Sequence, residues 1–569
     1  MVRRGVPLIG ACASVMLLAG MVPLSAQRPA AGSPPDTGGF AIRDSLVVSK
    51  CVRCHVRDSS GRMGRLSFLR KAPEGWEASV RRMASLSDVK LNPAEARAIV
   101  KYFANRQGLA PEEVKAGRFE MERRFMDYRY TADAVTERTC RACHSVGRVL
   151  LQRRTRNEWE LLVSTHRGYY PNSDFQAFRR SGPASDSAPT PHPMDQAIAH
   201  LSRAFPLQTP EWTAWSTTMR PAPLEGTWLL TGYEAGRGAL FGRLTVTRVK
   251  GTDDEFSTRA VYRFASGGAP IVRDGKSMVY TGHQWRGRSS SASGAAANAD
   301  SAWREVLSVE PGWQEMSGRW FRGGYDEFGI DVTARRMSGG ATVASVLPRA
   351  LPRGTRDVEV TVYGANLPKV AATSALDFGP GITVTRVVRA SADEIVARVN
   401  IDSAARVGSR DLFVGGAALK DAVVAYAKVD RIRVTPNSHM ARVGGVRFPK
   451  QFARFEAIGL SNGPDGKPDT ADDLTLGVVP VTWSLEEYGV TFKDDDVRYV
   501  GAIDQTGFFT PALDGPNTSR AGQKNNIGDV YVVASYQPPG SLARPLKARS
   551  LLIVTVPLYM RWEPTRTSP

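Results

Sequence analysis

The sequence predicts a multidomain chain of α plus β class, with an all-α N-terminal domain followed by an antiparallel β-barrel and two immunoglobulin-like β-sandwich domains. Three observations lead to this prediction. Repeated motifs and helix-capping signals lie before residue 221, the composition changes at 221–223, and short β-branched or aromatic segments separated by Gly or Asp turns follow. The length of 569 residues suggests about four domains, at roughly 150 residues each.

The first 26 residues are predicted to be a cleavable export signal. Arg3 and Arg4 precede an apolar stretch at 8–22, and small residues follow near Ala26. An uncleaved membrane anchor is the alternative, but the apolar stretch is short. Residues 27–39 are rich in Pro, Gly, Ala and Ser and are predicted to be a flexible leader. We therefore expect a periplasmic protein without a membrane span.

Cysteine spacing gives the strongest functional signal. Apart from Cys12 in the signal, the cysteines fall in two C-x-x-C-H motifs, at 51–55 and 140–144. This is the attachment signature of c-type haem, in which two thiols form thioethers and the following histidine binds the iron. A zinc site made of the four thiolates would leave both histidines without a role. The sequence thus predicts two covalent haems, attached at Cys51, Cys54, Cys140 and Cys143, with His55 and His144 as proximal ligands.

An internal repeat predicts the remaining iron ligands. Segments 70–83 and 153–166 align, with Trp76 matching Trp159. Met83 and His166 each lie seven residues after the tryptophan, which is about two helical turns, so ligand and tryptophan share a helix face. We predict that both tryptophans pack on haem. The predicted iron ligand pairs are His55 with Met83, and His144 with His166.

Other side chains compete for these roles. Met63, Met121 and Met126 are alternatives to Met83, and His192 and His200 are alternatives to His166. Because a thioether ligand raises a haem potential relative to two imidazoles, electrons are expected to move from the second haem to the first.

The predicted domain boundaries follow from these patterns. Residues 40–221 form a dihaem cytochrome c domain with two cytochrome c-like repeats, and 222–342 form the barrel. Residues 343–430 and 431–569 form the two sandwiches. An acidic loop at 462–473 offers oxygen ligands that would suit calcium, but its spacing does not match an EF-hand, and a solvated hairpin tip is the favoured interpretation.

The net charge and the absence of known catalytic motifs exclude several classes of function. The net charge is +19, from 75 Lys and Arg against 56 Asp and Glu. A basic haem domain favours an acidic redox partner. Nucleic-acid binding is not expected, because the arginines are spread over helices in an exported chain. No serine-elbow, H-E-x-x-H or phosphate-loop motif occurs, so we expect no catalytic residue in this chain.

The motif R-x-x-x-x-x-W-x-x-x-V-x-x-M at 70–83 and the matching W-x-x-x-V-x-x-H at 159–166 carry a family resemblance, together with the stretches 152–159, 165–168 and 192–201. With the β domains, they resemble the α subunit of quinohemoprotein amine dehydrogenase. The resemblance implies a periplasmic heterotrimer with a β-propeller subunit and a small subunit that carries cysteine tryptophylquinone. That quinone would oxidise a primary amine to aldehyde and ammonia.

The resemblance further implies that electrons pass through the two haems of this chain to a soluble cytochrome c or cupredoxin. Two other interpretations stay open at this point. The chain could be a stand-alone dihaem carrier that serves another periplasmic enzyme. It could also be a dihaem peroxidase, which needs one haem able to lose its sixth ligand.

Overall fold

The computed structural model describes residues 38–117, 130–141, 144–171, 173–176, 191–291, 302–322, 328–369, 372–489, 495–540 and 542–557. The predicted signal and nearly all of the predicted leader lie outside these ranges, as do Cys143, Met121 and Met126. Within them, no helix is both long enough and apolar enough to cross a membrane.

The N-terminal region is mainly helical, and in each half a three-residue strand precedes a 14-residue helix that carries the repeat tryptophan. The first half contains α1 (Ser45–Cys51), β1 (Leu69–Lys71), α2 (Pro73–Leu86), α3 (Pro93–Arg106) and α4 (Pro111–Val114). The second half contains α5 (Ala134–Arg141), α6 (Gly147–Leu150), β2 (Gln152–Arg154), α7 (Arg156–Tyr169), α8 (Ser173–Gln176), α9 (Pro193–Ala204) and α10 (Pro210–Thr218).

A two-stranded antiparallel sheet joins the two repeats, so the prediction of an all-α N-terminal domain is wrong. In this sheet Leu69 pairs with Arg154, Arg70 with Arg153 and Lys71 with Gln152. Each strand has only three residues and is strongly basic, so it carries no β-propensity signal. The part of the chain that the structure describes is also more β than helical, with 42% strand and 22% helix.

Helix α3 begins as its sequence predicts. The side chain of Asn92 accepts a hydrogen bond from Glu95 N (2.9 Å), and the Glu95 carboxylate accepts one from Asn92 N (3.0 Å). Pro93 occupies the first turn, where it costs no hydrogen bond. Together these two bonds form a capping box.

Removing this cap should have a small and specific effect on stability. We expect Asn92→Ala to lower the free energy of unfolding by about 1 kcal/mol, because a backbone N–H at the start of α3 loses its acceptor. Urea denaturation of the haem-loaded protein measures this change. Ser85→Ala on the exposed part of α2 is the control, and an equal loss in both variants would contradict the prediction.

Residues after 221 begin with a closed barrel of eight antiparallel strands in sequential order. Its interior is filled by large apolar side chains, among them Trp228, Trp285 and Trp320. The strands are β3 (Gly226–Glu234), β4 (Gly238–Arg248), β5 (Glu255–Phe264), β6 (Ile271–Tyr280), β7 (Gln284–Ser291), β8 (Trp303–Val309), β9 (Glu315–Arg322) and β10 (Gly329–Arg336).

The turn between β6 and β7 packs against the first haem repeat. Thr281 N donates to Asn105 Oδ1 (2.7 Å), and His283 Nε2 donates to the Leu109 carbonyl (3.0 Å). A buried ion pair between Glu74 at the start of α2 and Arg286 on β7 lies nearby. These contacts attach the first repeat to the barrel at α2, α3 and the loop that follows.

Two sheets that share one apolar core form the next domain. One sheet has the order β11-β13-β16-β15 and the other β12-β18-β17-β14. The strands are β11 (Thr342–Leu347), β12 (Ala350–Pro352), β13 (Val358–Ala365), β14 (Leu376–Asp377), β15 (Ile382–Ala390), β16 (Glu394–Ile401), β17 (Gly408–Val414) and β18 (Ala417–Tyr426).

The last domain has its own core between sheets β19-β22-β23 and β20-β28-β27-β24, with a small sheet β21-β26-β25 beside them. Its elements are β19 (Arg431–Thr435), β20 (Ser438–Arg442), β21 (Ala453–Arg454), β22 (Glu456–Ser461), β23 (Leu474–Val478), β24 (Thr482–Glu487), α11 (Asp496–Tyr499), β25 (Gly501–Ile503), β26 (Phe508–Pro511), β27 (Gly528–Tyr536) and β28 (Leu546–Thr555).

Candidate haem-binding sites

The first C-x-x-C-H motif forms a tight turn at the end of α1. Helix α1 is capped by Asp44, whose side chain accepts from Val47 N (2.9 Å). Both Cys54 N (3.2 Å) and His55 N (2.9 Å) donate to the Cys51 carbonyl, so the two thiols and the imidazole belong to one turn. His55 Nδ1 donates to the Gly64 carbonyl (2.9 Å). This bond leaves Nε2 as the nitrogen that can bind iron.

In the second motif, His144 is held in the same tautomer as His55, and its ring lies opposite the ring of His166. His144 Nδ1 donates to the Ser145 carbonyl (2.8 Å) and His166 Nδ1 to the Leu162 carbonyl (2.9 Å). Hydrogen bonds from the ring nitrogen that does not bind the metal orient metal-binding imidazoles. The two rings lie with their centroids 6.4 Å apart and their planes at 42°.

This separation can be compared with the geometry of two imidazoles on one metal ion. An imidazole nitrogen lies about 2 Å from a bound metal ion, so two rings on opposite sides of that ion have centroids roughly 6 Å apart. The observed 6.4 Å between the His144 and His166 rings therefore leaves room for one iron between them. The ring of His200 makes no such contact with His144. Its Nε2 is instead hydrogen-bonded to the Tyr130 hydroxyl (2.7 Å).

Burial keeps the groups of the second motif uncharged. It lowers the pKa of His144 to about 4, so the imidazole is neutral at pH 7, as iron binding requires. Burial, with a smaller contribution from Asp133, raises the pKa of the Cys140 thiol to about 12. Attachment of haem would replace this thiol by a thioether, which has no charge to bury.

The first haem's predicted sixth ligand lies near the end of α2. Met83 is half-buried, and its sulfur is 3.9 Å from the Ser87 hydroxyl. The alternative Met63 is fully buried in the apolar core around Trp76. A core position is the ordinary role of a methionine, whereas the half-buried thioether of Met83 is partly open to a bound group. Ligation by Met83 stays a prediction.

The two repeat tryptophans are both 1% exposed but have different surroundings. Trp76 stacks on Phe103 (centroids 4.3 Å apart) and donates from Nε1 to the Gln107 carbonyl (3.1 Å). Trp159 has no aromatic stacking partner of this kind in the described ranges, and its buried Nε1 lacks an acceptor there. Packing of either indole on haem stays a prediction.

Sequence reasoning missed a buried ion cluster that joins the repeats. Arg70 makes two bonds to Glu113 (both 2.8 Å), and Arg153 Nε lies 3.0 Å from the same carboxylate. Thr209 also donates to it (2.9 Å). The two arginines could have been found from the sequence, because each lies six residues before the tryptophan of its repeat. Glu113 lies on α4 at the end of the first half, and no motif in the sequence marks its carboxylate as the buried one.

The residues present fit haem. The three histidines have fixed tautomers, one pair has the spacing for an axial pair, and Cys51, Cys54 and Cys140 are not in disulfides. The described ranges contain no group of three or more Asp, Glu, His or Cys arranged to hold another metal. In the acidic loop, Arg431 bonds Asp469 (2.8 Å), and Asp472 accepts from Asp465 N (3.1 Å), so these carboxylates already have partners.

Paired imidazoles and a C-x-x-C-H turn at the end of a helix are typical of a haem-binding protein. Family models of the quinohemoprotein amine dehydrogenase α subunit match nearly the whole chain: haem binding at 41–212, domain II at 221–337, domain III at 340–427 and domain IV at 432–567. The chain belongs to this family, which confirms the resemblance seen in the sequence. It is thus a haem-binding subunit of a multi-subunit amine dehydrogenase, an oxidoreductase.

Other comparisons give weaker likenesses. No curated protein matches the chain. Among solved structures, a redesigned β-barrel matches with 15% identity and a TM-score of 0.17, covering 20% of this chain and 92% of its own. A fluorescence-activating β-barrel designed de novo matches with 20% identity and a TM-score of 0.16, covering 20% and 93%. The extracellular region of plexin A4 matches with 6% identity and a TM-score of 0.12, covering 57% and 61%.

Proposed function

We propose that this chain is the dihaem electron-transfer subunit of a periplasmic primary amine dehydrogenase. The carrying observation is the opposed pair His144 and His166, in a chain whose four domains all match the α-subunit family. Bound haem supplies one-electron redox chemistry. The chain would connect a quinone-bearing partner subunit to a soluble cytochrome c or cupredoxin.

The ligand set explains why substrate chemistry belongs elsewhere. Two imidazoles on opposite sides of one iron leave no open position for a substrate. The same argument applies to the first site if Met83 faces His55. All four cysteines of the mature chain are assigned to thioethers, so none remains to carry cysteine tryptophylquinone. The quinone is therefore placed on a small partner subunit, with a β-propeller subunit completing a heterotrimer.

Charge and export support the choice of acceptor and location. The chain carries a net charge of +19, which favours an acidic carrier and predicts slower electron delivery at high salt. The predicted N-terminal export signal and the c-type motifs would both suit maturation in the periplasm.

The test uses the native complex, purified without disrupting its subunits and kept free of oxygen. A primary amine should produce the ferrous α-band of both haems, because amine oxidation feeds electrons into this chain. A tertiary amine is the matched control, since it cannot form a Schiff base with a quinone. Reduction by dithionite but by no primary amine, in a preparation that retains its partner subunits, would contradict the proposal.

A further inference from the structure

A buried lysine in the first repeat makes no ion pair with any carboxylate that the structure describes. Lys71 is 7% exposed, and its Nζ donates to the Ser79 hydroxyl (2.7 Å) and lies 5.3 Å from the centre of the Trp76 ring. No ion pair between Lys71 and a carboxylate exists in the part of the chain that the structure describes. Burial, reinforced by neighbouring arginines, lowers the pKa of Lys71 well below the usual lysine value.

The second repeat places an arginine in the equivalent position. Arg154 is 4% exposed, and its guanidinium carbon lies 5.6 Å from the centre of the Trp159 ring. Its only carboxylate neighbour in the described ranges is Glu158, at 3.5 Å. That carboxylate is shared with Arg65, at 2.9 Å. Burial lowers the pKa of Arg154 to about 10.

These groups form a cationic cluster, which we define as Lys71, Arg154, Arg65 and Arg82, with Glu158 as its one carboxylate. The charges of Arg65, Arg82 and Glu158 act on both Lys71 and Arg154. The cluster therefore carries three more positive than negative charges, and two of its cations are almost fully buried. An unpaired buried charge costs several kcal/mol, so proteins normally supply a counter-charge.

The neighbouring arginines on the same two strands do have a counter-charge. Arg70 and Arg153 immediately precede Lys71 and Arg154, and both bond the buried carboxylate of Glu113. In the cationic cluster the corresponding carboxylate is Glu158, which lies 3.5 Å from Arg154 and 2.9 Å from Arg65 and leaves Lys71 with only the Ser79 hydroxyl as its described hydrogen-bond partner. The cluster also borders a second unsatisfied group, the buried Trp159 Nε1. A buried N–H donor requires an acceptor, so the missing group is an anion with acceptor oxygens.

We propose that Lys71 and Arg154, together with Trp159 Nε1, form the binding site for propionate carboxylates of the haems. Each cation lies over the tryptophan of its own repeat. Lys71 on β1 and Arg154 on β2 belong to the same two-stranded sheet. The cluster would neutralise the carboxylates and hold the haems at high potential, because nearby positive charge favours the reduced iron. This inference rests on the two haems of the proposed function.

The test is Lys71→Met in the haem-loaded full-length complex, with potentials measured by spectroelectrochemistry. Loss of the ammonium should shift the reduction equilibrium of one haem at least tenfold toward the oxidised form, about 59 mV for a one-electron couple. Lys71→Arg should keep the wild-type potential. Lys101→Met is the matched control, because the Lys101 ammonium is already paired with Asp254 at 2.8 Å and should shift either potential less than threefold.

Unchanged potentials in a Lys71→Met protein with full haem content would overturn the inference, since Lys71 would then be a neutral core group. If that variant does not fold, Trp159→Phe serves instead. It keeps the ring, removes the N–H and should lower a potential in the same direction, whereas no shift would again overturn the inference. The haem count of the wild type, from its pyridine haemochrome spectrum, tests the proposed function separately.

Discussion

His166→Ala should convert one of the two haems from low-spin to high-spin, so that about half of the total haem signal changes. The alanine cannot bind iron, and the second site is left with His144 as its one strong ligand. Among the described residues, His166 is the one histidine whose ring lies against that of His144. Optical and electron paramagnetic resonance spectra of the ferric protein measure the change.

Two controls make this result specific. His200→Ala removes a histidine of the same repeat whose Nε2 is already bonded to Tyr130, so its spectrum should stay low-spin. Added imidazole should enter the cavity left in His166→Ala and restore the low-spin spectrum. A fully low-spin His166→Ala protein would remove His166 from the ligand set, and a high-spin His200→Ala protein would assign that role to His200.

The sequence was most informative where a local pattern determines the chemistry. The C-x-x-C-H motif specifies a turn that presents its thiols and imidazole together, and the structure shows that turn at Cys51–His55. The seven-residue spacing from Trp159 to His166 depends only on helix geometry, and the structure does bring His166 opposite His144. The same spacing in the first repeat predicts Met83 as an iron ligand. Methionine has no ring, so no ring-to-ring distance to His55 tests this prediction.

Interactions between distant segments could not be predicted in this way. Strand β1 pairs with β2 although 80 residues separate them and neither segment is apolar. The carboxylate of Glu113 and the turn at Thr281 meet the haem repeats only in the folded chain. A single sequence shows neither which charged residue will be buried nor which partner compensates it, because both depend on packing between domains.

Glu113→Gln should destabilise the haem domain more than any exposed charge change. The carboxylate lies between Arg70 and Arg153, and all three side chains are at most 2% exposed. Its removal leaves two buried guanidinium groups without a counter-charge, which costs about 3–5 kcal/mol of folding free energy. Guanidinium denaturation followed by haem absorbance measures the loss. Glu112→Gln, next in the chain but 49% exposed and 3.8 Å from Lys115, should change stability by less than about 1 kcal/mol.

The effect of Glu113 should also depend on pH in a defined direction. Burial alone would raise the pKa of Glu113, but Arg70 and Arg153 outweigh it and lower the pKa to about 2. A carboxylate with a lowered pKa stabilises the fold above its unfolded pKa, about 4.3, and loses this contribution as the pH falls toward the folded value. The stability gap between wild type and Glu113→Gln should therefore be constant from pH 7 to 5 and shrink below pH 4. A gap that widened in acid would show that Glu113 is protonated in the native protein, and that the two arginines are neutralised by another group.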